Sequence, residues 1–225
     1  SYRLVGSEMC IRDSCWLGGD PDGLDALPRR KWWIDGFLIQ RTPVTYGRYL
    51  AYLNDLKEAG RLDEAMARRP AEPGTVSAEP HPHVLLEDGR FVLGQNGQGE
   101  PLHPDWPAVC LRHEDAAAYA FWWSVKTGRM WRLPHDHEWE KAARGVDGRF
   151  FPWGDHFDAN WACTMHSRTG KTEVAKVEDF PADVSVYGVL GMAGNVRDWC
   201  NNGYQRTGPG SGGPLTPSPA AYVFG

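Results

Sequence analysis

The sequence predicts a single loop-rich α+β domain. Two observations lead there. Eleven tryptophans occur beside 26 glycines and 17 prolines, a composition suited to aromatic clusters beneath long irregular loops rather than to long helices or a regular sheet. Helical periodicity is confined to a few stretches, separated by Pro/Gly-rich chain. No internal repeat is evident.

Taken in order, Lys31–Thr45 (KWWIDGFLIQRTPVT) mixes aromatic and β-branched residues and predicts one or two strands. Thr45 then offers an N-cap. Tyr49, Tyr52, Leu53 and Leu56 share one face and Gly60 supplies a stop, which predicts an amphipathic helix. Residues 61–105 read as a polar, Pro/Gly-rich insertion carrying a hairpin that turns at Asp88-Gly89. The stretch RHEDAAAYAFWWSVKTGR predicts a second helix ending at Gly128. Asp136–Arg144 predicts a third, short one, with Trp139 toward the core and Gly145 at its C-terminal end. Beyond FFPWGD the chain is loop-rich, with EVAKVEDFP strand-like, and residues 203–219 form a Gly/Pro/Ser-rich tail expected to be mobile in isolation.

The first fourteen residues fit no structural pattern. Back-translated, Leu4–Asp13 resembles the transposon-end adapter used in making sequencing libraries. Residues 1–14 are therefore expected to be an adapter-derived artefact. The native chain is then expected to begin near Cys15, as one domain over 15–225 that is incomplete at its C-terminus.

Composition also bounds function. A net charge of −5 with no lysine or arginine block argues against nucleic acid as the main partner. No apolar stretch approaches membrane-spanning length, so no membrane segment is expected. Outside the adapter-like segment the cysteines are Cys15, Cys110, Cys163 and Cys200. They are widely spaced and include no CxxC pair, so buried thiols are expected in place of a cysteine-built zinc site. His81 and His83 flank Pro82, and His135 and His137 flank Asp136. Surface or capping roles are expected for them, because two histidines two residues apart at a helix start should not point to one spot.

Four segments, in order, resemble the formylglycine-generating enzyme family, also called the sulfatase-modifying factor domain. They are FLIQRTPVTYGRYLAYL, WRLPHDHEWEKAARG, FFPWGD with NW after it, and YGVLGMAGNVRDW. The likeness runs from about Leu17 to Asn201 and implies that family's C-type-lectin-like fold. In WRLPHDHEWE, His135 replaces the threonine of a capping box, so Asp136 is expected to take over the cap.

The resemblance also implies cofactors. A structural calcium ion would take the carbonyls of Gly194 and Val196 and the carboxylate of Asp198, but Gly191 stands where the family has a side-chain ligand. Asn160 matches part of a second calcium site for which no acidic partner is evident. Catalytic members bind copper(I) through two nearby cysteines and oxidise a cysteine in the C-x-P-x-R segment of a sulfatase. None of the four cysteines matches that pair, so catalytic residues are expected beyond Gly225. The alternative is a non-catalytic ligand-binding or sensor module attached to a bacterial Ser/Thr protein kinase, toward which Arg197 leans because the enzyme pattern has tryptophan there. A third branch, joined to a helical domain and using iron, would carry its iron ligands in that other domain.

Overall fold

A computed structural model describes residues 4–5, 8–21, 26–74, 79–167, 174–203 and 221–223. Its main sheet has the order β1-β2-β3-β9-β8. β1 (Leu4–Val5), β2 (Glu8–Leu17) and β3 (Arg30–Gln40) run antiparallel, and β9 (Ala221–Val223) lies parallel to both β3 and β8 (Trp131–Arg132). The segment before Cys15 shows no side-chain period, yet it is extended from Glu8 and pairs with β3. Backbone pairing supplies that order, since a ladder of N–H and C=O groups needs no alternation of side chains.

α1 (Tyr46–Glu58) starts as the sequence predicts, with Thr45 Oγ1 accepting from Arg48 N at 3.4 Å. The insertion is more structured than expected. It holds α2 (Leu62–Ala67), the short pair β4 (Ala71–Glu72) and β5 (His81–Pro82), and the hairpin β6 (Val84–Glu87) with β7 (Arg90–Leu93). Asp88 and Gly89 both have positive φ, as a two-residue primed turn requires. α3 (His113–Thr127) ends at Gly128 in the left-handed region. The strand-like segment 174–181 forms turns instead; Val177 N donates to Asp105 O and Asp179 N to Lys176 O. The expected mobile tail, residues 203–219, lies outside the described residues from position 204 onward.

α4 (Asp136–Arg144) keeps its capping box despite the lost hydroxyl. His135 is the N-cap, and Glu138 Oε2 accepts from His135 N at 2.7 Å. Asp136 takes part of the expected role, because its Oδ1 accepts from His137 N at 2.7 Å whereas His135 Nδ1 is 3.4 Å from the same nitrogen.

Two apolar clusters hold these elements. In the first, Cys15, Leu17, Ile34, Phe37 and Ile39 of the sheet pack on Ala142 and Ala143 of α4 and on Tyr187, Val189 and Met192 of the C-terminal loops. The buried Lys141 ties α4 to the sheet by donating to the Asp13 and Ile34 carbonyls. In the second, the predicted face of α1 meets Val84 and Phe91 of the hairpin, Tyr119 of α3 and Trp131. The C-terminal loops therefore pack along α4, beside which the site is built.

Candidate functional site

The loop Gly191–Cys200 carries the motif that the sequence singles out, and a lattice of polar contacts shapes it. Asp183, buried at 1 % exposure, accepts from Met192 N at 3.2 Å and from Ala193 N at 3.1 Å. Burial pushes its carboxyl up to about 6, although both amides pull the other way. Asn195 stands at φ 71°, a conformation that asparagine tolerates better than most residues. Its amide reads both backbone groups of Ala175, and its N–H donates to Cys163 O at 2.7 Å. Gly194 has to be glycine here, because a Cβ would collide with the Cys163 carbonyl oxygen.

Past this turn the loop lies along α4 and along the chain leading to α3. Trp139 Nε1 donates to Asp198 Oδ2 at 2.9 Å and Trp199 Nε1 donates to Leu111 O at 2.9 Å. Asn201 N donates to Pro134 O. A cavity of about 660 Å³ opens between these segments, lined by Val44, Ala108, Leu111 and Leu133 together with residues 195–199. Cys110 is on its wall, at a left-handed φ of 58° and exposed.

Asp198 is the unusual group of this cavity. Burial pushes its carboxyl up to about 6, and among the described residues Trp139 is the single hydrogen-bond donor that reaches it. A partly buried carboxylate with one donor is a position that a cation would complete. The fit to calcium is partial. Gly194, Val196 and Asp198 can offer three or four of the six to eight oxygens that calcium takes, and the Gly194 carbonyl already accepts from Val196 N at 2.9 Å. Gly191, at φ 74°, brings no side-chain oxygen. Asn160 is exposed and away from this loop's contacts; its side chain and N–H both bond Asp158 Oδ1, at 3.1 and 2.9 Å.

The cysteines do not fit a copper(I) pair. Among the described residues Cys15, Cys110, Cys163 and Cys200 form no disulfide. Burial pushes Cys15 up to about 11 and Cys200 up to about 12, and it raises Cys110 as well. A soft-metal site needs thiolates, and these environments favour the protonated form.

The sequence profile of the Sulfatase-modifying factor enzyme 1-like domain matches residues 7–222. The chain belongs to this family. A formylglycine-generating enzyme from Streptomyces coelicolor is 28 % identical over 93 % of this chain and 74 % of its own length. A serine/threonine-protein kinase Pkn1 from Chlamydia trachomatis is 28 % identical over 83 % of this chain but only 26 % of its own length. The structure of PvdO from Pseudomonas aeruginosa superposes with a TM-score of 0.63 at 27 % identity, covering 88 % of this chain and 71 % of that one. The mixed helix-and-strand architecture is thus that of a formylglycine-generating-enzyme-like domain. Among the described residues, no helix is long and apolar enough to cross a membrane.

Several contacts of the structure escape sequence reading. Asp183 reaches Met192 and Ala193 across a loop, where no periodic signal exists. His83 is buried at 2 % exposure, not at the surface, and its ring joins Tyr46 Oη at 2.6 Å to Glu72 Oε1 at 3.1 Å. The expectation that His135 and His137 diverge is also overturned. Both Nδ1 atoms face Asp136 Oδ1, at 2.5 and 3.0 Å, because the non-helical N-cap residue turns its ring back over the first helical turn.

Proposed function

We propose that this domain is the ligand-binding body of a formylglycine-generating-enzyme-type protein, with the cavity beside residues 195–199 receiving a peptide segment. The observation that carries the reading is this mostly aliphatic cavity, with one under-bonded carboxylate, Asp198, in its wall. The pocket suits an extended peptide with a small apolar side chain and a cationic one. In the intact protein, oxidation of a sulfatase cysteine to formylglycine would require a thiolate pair outside residues 1–225. The likeness to a Pkn1 kinase supports a second reading, a non-catalytic sensor joined to a kinase domain.

Finer assignments belong to the same proposal: a C-type-lectin-like fold, one domain over 15–225, and a calcium ion at Gly194, Val196 and Asp198. The test is a calorimetric titration with a C-x-P-x-R peptide, in the chain and in an Ala108→Phe variant that fills the cavity. Saturable binding lost in the variant supports the reading. Binding that survives filling would place the peptide elsewhere and defeat it.

A further inference from the structure

Three consecutive side chains at the start of α4 have no part in the cavity. Among the described residues, His135, Asp136 and His137 form the one group of three metal-ligating side chains whose donor atoms all lie within 4.8 Å of one another. His137 is buried at 3 % exposure with its ring edge against Trp32, so its imidazole is held in place. Asp136 is 40 % exposed and opens the group to solvent. One side is therefore rigid and the other accessible, as a binding site requires.

We infer that His135 Nδ1, Asp136 Oδ1 and His137 Nδ1 form a binding site for a borderline divalent transition-metal ion, for which zinc(II) is the probe. Two imidazole nitrogens and one carboxylate oxygen are a donor set that zinc, nickel or copper(II) accepts and calcium does not prefer. Donors each about 2.1 Å from an ion stand roughly 3.0–3.4 Å apart in octahedral to tetrahedral geometry. The present N···O distances of 2.5 and 3.0 Å lie close to that spacing. Opening the triangle to that spacing falls to His135 and Asp136, the two partly exposed members, while His137 stays against Trp32.

The protons give a second reason. To cap α4, His135 Nδ1 must present a lone pair to His137 N–H; to bond the Asp136 carboxylate, the same nitrogen must carry a hydrogen. One tautomer cannot do both. An ion takes a lone pair from all three atoms, while Asp136 Oδ1 goes on accepting from His137 N at 2.7 Å. The positive end of the α4 dipole opposes a cation, and the Asp136 charge at that end offsets it. Three protein ligands leave coordination positions open to water or to an exogenous ligand.

The experiment uses the full chain, free of any affinity tag and stripped by a chelator, in buffer with excess calcium so that hard-cation sites are filled. Zinc binding is measured by calorimetry, with cobalt(II) absorption reporting ligand type. One equivalent should bind. His135→Asn keeps a good N-cap but removes the imidazole, and Asp136→Asn removes the charge; each should weaken zinc at least tenfold and bleach the cobalt spectrum, with circular dichroism unchanged. His166→Ala, an exposed histidine, should change nothing. Absence of saturable zinc binding, or binding of unchanged strength in His135→Asn, overturns the inference.

Discussion

Replacing Asp198 by asparagine changes one atom and removes one charge from a partly buried site. The ordinary aspartate value of 3.8 and the folded value of about 6 differ by roughly 2, and at about 1.4 kcal/mol for each step the buried charge costs up to about 3 kcal/mol at neutral pH. Because the folded value is the higher one, the folded protein holds an extra proton between about pH 4 and 6. The contribution to stability is greatest below that window and is lost as pH rises through it. Asparagine keeps an oxygen for Trp139 Nε1 and carries no charge. In EDTA at pH 7.5, Asp198→Asn should therefore raise the melting temperature, by at most about 6–12 °C at roughly 2–4 °C per kcal/mol in a chain of this size. Its stability should also fall less steeply between pH 4 and 6 than that of the parent chain. Calcium should reverse the order by stabilising the parent and leaving the variant unmoved. A variant that melts lower than the parent in EDTA would show that the Asp198 charge is already compensated, and the reasoning would fail.

Other outcomes follow from the same contacts. Gly194→Ala should cost more than 2 kcal/mol in urea unfolding, because its Cβ meets a backbone oxygen; Gly128→Ala, with open space around it, should cost about 1 kcal/mol from its positive φ alone. Glu138→Ala removes both a capping-box bond and a bidentate partner of Arg132, at 2.7 Å twice, and should cost about 3 kcal/mol by the same assay. With a thiol reagent at pH 7.5, exposed Cys110 should react slowly and faster as pH rises, whereas Cys15 should stay silent until denaturant is added.

What the sequence made legible was local. Tyr49, Tyr52, Leu53 and Leu56 recur at helical spacing, and Asp88-Gly89 is a turn that only a few residue pairs favour, so α1 and the hairpin could be read directly. The family motifs located the loop at 194–198. The rest depends on contacts between distant residues. α2 is six residues long with no side-chain cap, too short for a period to show. His83 becomes a core residue only because Tyr46 and Glu72 arrive from other elements. Residues 174–181 read as strand-like, yet Val177 bonds Asp105 in place of a sheet partner. The meeting of His135 and His137 on Asp136 turns on the backbone direction at the N-cap, which spacing does not reveal.

The most direct measurement is mass spectrometry of a C-x-P-x-R peptide incubated aerobically with residues 1–225 and copper(I), beside a binding titration on the same sample. A domain that binds through its cavity but holds its cysteines as thiols should take up the peptide and return it with its cysteine unchanged. Conversion of that cysteine to an aldehyde, with copper-dependent turnover, would contradict the account, since two of the five cysteines of residues 1–225 would then have to act as thiolate ligands.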